Sequence, residues 1–304
     1  MKKNQKIKKG VFYAFLTALV SGVSIFYSKA VVLKISPLFL TTIRNLSVGF
    51  LFFILLFSQS KLFSQLKPIK KREILLLILV GVIGGALPFY LFFSGLRLVP
   101  AQTANLIHKS LFIWVTILAV IFLKEKIKPI FWLAFVLIFL GNYYFFPFKL
   151  QFNQGELMIL LATWFWAVEN ILAKKALKTV SSEMVGLFRM GLGGTLLLLA
   201  TIFFGQTKII FSLTFSQWQL ILPGVVLLFF YVFFWYKALK YAPASLVTLI
   251  LTFSMVVGNV LNGTFAGLKI SQNEIYSSSL ILIAASLISF YTVYQGRSLN
   301  KLNG

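Results

Sequence analysis

Glu169 is a carboxylate inside a long apolar stretch, between Trp164-Phe165-Trp166 and Lys174. At the centre of a bilayer a charge of this kind costs about 2.5–3.5 kcal/mol on insertion scales. It must therefore be protonated, paired or facing water. That leaves two roles: a proton-coupling or amine-binding group, or half of a structural pair with a buried Lys or Arg. Arg44 and Arg189 lie about two turns inside apolar runs of their own. A guanidinium there can hold a substrate carboxylate or phosphate, or it can bridge helices. His108 and Lys109 fall in another run, where the imidazole is a candidate proton carrier. Arg44, Arg189 and Lys109 against Glu169 make the intramembrane balance basic, which favours anionic or zwitterionic solutes. Polar residues at helical spacing add possible walls. Thr17, Ser21, Ser24 and Ser28 form one stripe, and Asn105, His108, Phe112 and Thr116 form another. Asn259 and Asn262 extend a third. Such stripes line a cavity or serve close helix contact. Tyr90, Trp114, Trp164, Trp166, Trp235 and Tyr236 are candidates for an aromatic pocket wall, although rings also anchor spans at membrane interfaces.

Other chemistries have little to work with. Cysteine and aspartate are absent and His108 is the only histidine. Thiolate nucleophiles, disulfides, metal sites and hydrolytic triads lack their residues. No glycine-rich phosphate loop is present. We therefore expect no enzyme, metal or cofactor.

The elements that must position these groups are membrane spans. The sequence is 59% hydrophobic and only 12% charged, too little charge to cover a soluble domain. Apolar runs of about 20 residues match the hydrocarbon thickness of a bilayer. Ten spans are predicted, at 10–33, 37–58, 73–96, 101–123, 129–147, 155–174, 184–204, 217–237, 244–266 and 274–295. The first run is too long for the apolar core of a signal peptide and reads as an uncleaved helix. The net charge of +23 does not point to nucleic acid, because the basic residues occupy short gaps between spans. Clusters such as Lys2–Lys9, Lys61–Arg72 and Lys124–Lys128 alternate with gaps that hold only Lys34, Arg97, Lys149, Lys208 and Lys269. The positive-inside rule then places both termini in the cytoplasm, as an even number of spans requires. Residues 1–9 and 296–304 are the cytoplasmic tails.

The sequence also repeats itself. An offset of 145 places Lys29 on Lys174, Ser36 on Ser181, Arg44 on Arg189 and Ser24 on Glu169. An offset of 143 places Gly81 on Gly224, Leu96 on Leu239 and Pro100 on Pro243. The repeats cover 10–147 and 155–295 with five spans each. Five is odd, so the second copy enters from the opposite face, as in many secondary transporters. Gly81, Gly84, Gly85 and Pro88 suit close packing and a kink.

Lys29, Pro37 and Arg44, the segments Leu96–Ala101 (LRLVPA) and Leu239–Ala244 (LKYAPA), and Glu125 together resemble the EamA branch of the drug/metabolite transporter superfamily. The resemblance spans the chain. It implies an all-α membrane protein of ten helices in two inverted repeats, and export or exchange of amino acids, nucleotides, sugars or drugs by alternating access. Members usually carry a proline about fifteen residues before the glutamate. Here Lys109-Ser110 and Thr252-Phe253 stand instead, and Leu268 replaces the second glutamate. Glu125, between Lys124 and Lys126, is expected to be an exposed, ion-paired loop residue. Lys29 and Lys174 are expected to snorkel to headgroups. The expected function is secondary transport of small organic metabolites at a bacterial-type plasma membrane, with proton coupling through Glu169 as one option. Alternatives are a multidrug or nucleotide-sugar-type exchanger, or a channel. The expected partners are a small-molecule substrate and lipid, not nucleic acid.

Overall fold

A computed structural model describes residues 3–58, 70–127, 129–145, 153–206, 213–265, 267 and 269–301. Lys2, Lys61, Lys67, Lys128, Lys149, Lys208 and Leu268 lie outside the described residues, as does part of each predicted tail. Ten helical stretches run through the described chain, and no strand occurs among those residues. They are α1 Lys3–Val32, α2 Pro37–Ser58, α3 Lys71–Leu98 and α4 Ala101–Leu123, α5 Pro129–Phe145 and α6 Gln154–Ala176. The rest are α7 Ser182–Phe203, α8 Phe215–Tyr241, α9 Ala244–Phe265 and α10 Gln272–Lys301.

Eight of these helices, α1–α4 and α6–α9, are long and apolar enough to cross a membrane. The apolar part of α5, Pro129–Gly141, is shorter than a full span.

Helix boundaries follow local chemistry. The Asn153 side chain accepts from the Glu156 N–H while the Glu156 carboxylate accepts from the Asn153 N–H. Thr214 and Gln217 make the same reciprocal cap, as do Ser271 and Glu274; each fills two N–H groups that a helix start leaves open. Repeat mates Ser36 and Ser181 both accept from the third residue beyond them. Helix α3 ends at Val99 and α8 at Ala242, both extended, because the residue before a proline is pushed out of helical geometry.

The proline that the resemblance leads one to expect is missing from α4 and α9, yet both helices break where it would stand. Ser110 Oγ donates to Ile107 O at 2.7 Å and Thr252 Oγ1 to Leu249 O at 2.6 Å. The Ser110 and Thr252 amides bond the same carbonyls. Both donors reach three residues back rather than four, which tightens the turn and interrupts the helix without proline.

The repeat is visible in the packing. Helices α1 and α8 lie together, and their mates α6 and α3 do the same. Mates α2 and α7, α4 and α9, and α5 and α10 also pair. Side chains of α1, α2, α3, α4, α6, α7 and α8 converge on one cavity, and the buried charged residues Arg44, Glu169 and Arg189 lie at or beside it.

Candidate functional site

The site is built on backbone carbonyls that helix α3 cannot use. Pro88 has no N–H, so the Gly84 carbonyl four residues earlier has no helical partner. A wider π turn over Val80–Gly84 opens the ladder further. The Gly84 carbonyl instead accepts from Trp166 Nε1 at 3.0 Å and from Arg189 Nε at 3.3 Å. The Gly85 carbonyl accepts from Asn45 Nδ2 at 2.8 Å. These contacts need glycine: a β-carbon at Gly84 would overlap the Glu169 side chain, and one at Gly85 the Arg189 carbonyl.

Arg189 lies in a second π turn, Phe188–Leu192 of α7, and is 3% exposed. Its Nη1 stands 3.7 Å from Glu169 Oε2 and 3.3 Å from the Tyr236 hydroxyl. That hydroxyl donates to Glu169 Oε1 at 2.6 Å. Phe89 and Tyr236 offer ring faces to the guanidinium at 5.5 and 5.7 Å. This charge is thus compensated by a carboxylate, a hydroxyl and aromatic rings.

Arg44, the mate of Arg189, is 1% exposed and has a different shell. Nη1 donates to Ser28 Oγ at 3.0 Å and Nη2 to Gly224 O at 2.8 Å. The reach is symmetric: each arginine bonds a glycine carbonyl in the third helix of the other repeat. The compensation is not. Among the described residues no carboxylate lies within ion-pair distance of Arg44, and its Nε finds no partner. The offset of 145 puts Ser24 where Glu169 stands, and the offset of 143 puts Phe93 where Tyr236 stands. Phe93 lies 5.0 Å beneath the Arg44 guanidinium.

Ser24, Phe93, Arg44 and Arg189 line one cavity, together with Ser21, His108, Trp166 and further apolar residues. Its volume is about 50 Å³, room for about four water molecules.

The sequence-predicted residues divide accordingly. Arg44, Arg189, Ser21, Ser24, His108 and Trp166 meet at the cavity. Glu169 sits behind it, fully buried beside Arg189. Lys109 points Nζ at Ser21 Oγ, 3.0 Å, and His108 Nδ1, 3.1 Å. Asn105 and Asn259 tie helices instead, donating to Ser254 O and Ser278 Oγ, while Asn262 donates to Gly258 O within α9 itself. Trp235 donates to Asn170 Oδ1, and Tyr90 faces outward, 37% exposed. Phe89, Phe92, Phe93 and Tyr231 line the cavity without having been singled out. Phe89, Phe92 and Phe93 follow Pro88 at one-face spacing, and that was the available signal.

Two expectations are corrected. Lys29 and Lys174 do not reach for headgroups. Lys29 Nζ donates to the carbonyls of Leu96, Arg97 and Val99, and Lys174 Nζ to those of Leu239 and Ala242. Each caps the carbonyl end of a helix that a following proline has cut short, where unpaired acceptors and the helix dipole favour a cation. Glu125 is not an exposed, ion-paired loop residue either: it is half-buried and, among the described residues, forms no ion pair. Its oxygens accept from the Ala244 and Ser245 amides at 2.8 and 3.2 Å and from Ser245 Oγ at 2.6 Å, which caps the start of α9.

A family profile described as the EamA-like transporter family matches residues 8–146 and again 153–290. No curated protein sequence matches significantly. One solved crystal structure, described only as that of a protein, is 16% identical, with a TM-score of 0.73 over 93% of this chain and 96% of its own. That likeness concerns the fold. The two profile matches cover nearly the whole sequence, and the chain belongs to the EamA-like transporter family, within the drug/metabolite transporter superfamily.

Proposed function

We propose that this membrane transporter is a ten-span secondary carrier with both termini in the cytoplasm of a bacterial-type plasma membrane, and that it moves small anionic or zwitterionic organic solutes. The carrying observation is the unequal treatment of two equivalent arginines. Arg189 has Glu169 and Tyr236; Arg44, which lines the cavity, has Ser24 and Phe93 in their places and a buried Nε–H without a partner. A buried cation without a counter-ion is costly. A substrate carboxylate or phosphate entering beside Ser24 supplies the missing partner, and the planar guanidinium suits either group.

A cavity of about 50 Å³ admits no organic solute, so helices must move before one enters. This favours a carrier that alternates between states over an open channel. In this reading Glu169 is the fixed counter-ion of Arg189.

The test is counterflow into liposomes that hold the purified protein and a mixed metabolite pool, with and without a proton gradient. The native protein should exchange an anionic or zwitterionic solute saturably, Arg44→Gln should lose that exchange, and Arg44→Lys should retain part of it. Transport of cations alone, or full activity of Arg44→Gln, would reject the assignment. If accumulation depends on the gradient and Glu169→Gln abolishes only that dependence, Glu169 carries the coupling proton instead.

A further inference from the structure

A second cavity lies away from the central site, where α3 begins and α4 and α6 end. Its volume is about 480 Å³, and its walls bring together Arg72, Lys124, Lys175 and Lys178 with Phe122 and Thr179. Among the described residues Glu73 is the one carboxylate in the wall, and it is already engaged, because it accepts from the Lys70 amide at 2.9 Å. Among the described residues none of the four cations takes part in an ion pair.

Four like charges around one cavity repel each other unless an anion joins them. The backbone adds to the case. Lys124 has φ of 55°, the only non-glycine residue with positive φ among those described. This left-handed geometry is unfavourable for a residue with a β-carbon, and such outliers gather at binding sites and switches. It follows directly on a π turn over Ala119–Leu123. Lys175 Nζ lies 5.5 Å over the Phe122 ring.

The surroundings identify the anion. The cavity sits at the ends of three helices that are long and apolar enough to cross a membrane, and the ends of a span are where headgroups meet protein. The wall residue Phe122 is more than half exposed, and so are Leu75 and Ile121, the sequence neighbours of the wall residues Leu76 and Phe122. We infer that this cavity binds a phosphate-bearing anion, the headgroup of an anionic phospholipid, with the acyl chains lying along Leu75, Ile121 and Phe122. Basic pockets between transmembrane helices hold such headgroups elsewhere. In the topology proposed above this face is cytoplasmic, yet the site depends on neither Arg44 nor the transported solute.

Native mass spectrometry of the detergent-purified protein tests this, with dioleoyl-phosphatidylglycerol, dioleoyl-phosphatidylcholine and glycerol 3-phosphate as probes. The native protein should retain one phosphatidylglycerol and no phosphatidylcholine under matched conditions. Arg72→Gln/Lys124→Gln/Lys178→Gln should weaken that retention on the order of a hundredfold. The charge-preserving variant Arg72→Lys/Lys124→Arg/Lys178→Arg should keep it. A control that removes three charges elsewhere, Lys6→Gln/Lys8→Gln/Lys34→Gln, should also keep it, which separates the pocket from general charge and from misfolding. If glycerol 3-phosphate competes at concentrations equal to the lipid, the phosphate site stands but its occupant is a soluble ester. If the triple Gln variant retains phosphatidylglycerol as well as native protein, or phosphatidylcholine is retained equally, the inference is overturned.

Discussion

Ser24 and Phe93 are where the charge of the central site is decided. Each occupies the position at which its repeat mate supplies Arg189 with a counter-ion or a hydroxyl. Placing those groups beside Arg44 should therefore turn the first half into a copy of the second. We predict that Ser24→Glu/Phe93→Tyr folds, gains stability, and loses anion exchange, because the new carboxylate competes with substrate for Arg44. Counterflow and thermal unfolding measure both effects; unaltered exchange of the same anion would show that solute does not sit on Arg44. At the other arginine the expectation reverses. Glu169→Gln leaves Arg189 buried without its carboxylate and should destabilise the protein by about 3–5 kcal/mol. Tyr236→Phe, which removes a hydrogen bond to a charged group, should cost about 2 kcal/mol. A double substitution, Glu169→Gln with Arg189→Met, should recover much of the first loss, since it removes both charges. Additive losses in the double-substitution cycle would show that the two side chains do not act as a pair.

At the scale of the element, two lysines and a glutamate close helix ends that proline has cut. Glu125→Gln replaces a charged acceptor of three hydrogen bonds by a neutral one. Lys174→Met removes a donor to two carbonyls at the end of α8. Each should raise hydrogen exchange at the first turn of α9 or the last turn of α8, with an opening cost reduced by about 1.5–3 kcal/mol. Exchange unchanged at Ala244–Val247 in Glu125→Gln would remove Glu125 from this role. These contacts also mark how far the sequence could be read. Eight membrane-capable helices, the two-fold repeat and the equivalence of Arg44 and Arg189 were legible because apolar runs and offsets are written in side-chain identity. The partners of Lys29 and Lys174 were not, because they are backbone carbonyls, which every residue has. Pro100 and Pro243 were the one sign that helices end there with acceptors to spare. The cavity rings stayed hidden for a different reason: Phe92 and Phe93 are two among 34 phenylalanines, and only packing separates wall from filler. The breaks at Ser110 and Thr252 needed the hydroxyl geometry as well.

For the whole molecule, the two proline-marked junctions are equivalent in sequence and unequal in restraint. Lys174 and Glu125 both hold the α8–α9 junction. At the α3–α4 junction Lys29 acts, and the position matching Glu125 is Leu268, which brings no carboxylate. If the halves exchange conformations by rocking, the doubly held junction is the harder one to open. A chain without cysteine allows this to be measured without background. We predict that Ser24→Cys in sealed vesicles reacts with a membrane-impermeant thiol reagent faster from the α3–α4 side than from the α8–α9 side. Adding Glu125→Gln should raise the second rate roughly ten- to a hundredfold, the population shift that a loss of about 1.5–3 kcal/mol produces. It should leave the first rate unchanged or lower it, because the two openings draw on one population. Both rates rising together would mean that Glu125 merely stabilises the fold. No labelling from either side would mean that the cavity beside Arg44 does not open to water, and the carrier proposed here would have to take its substrate by another path.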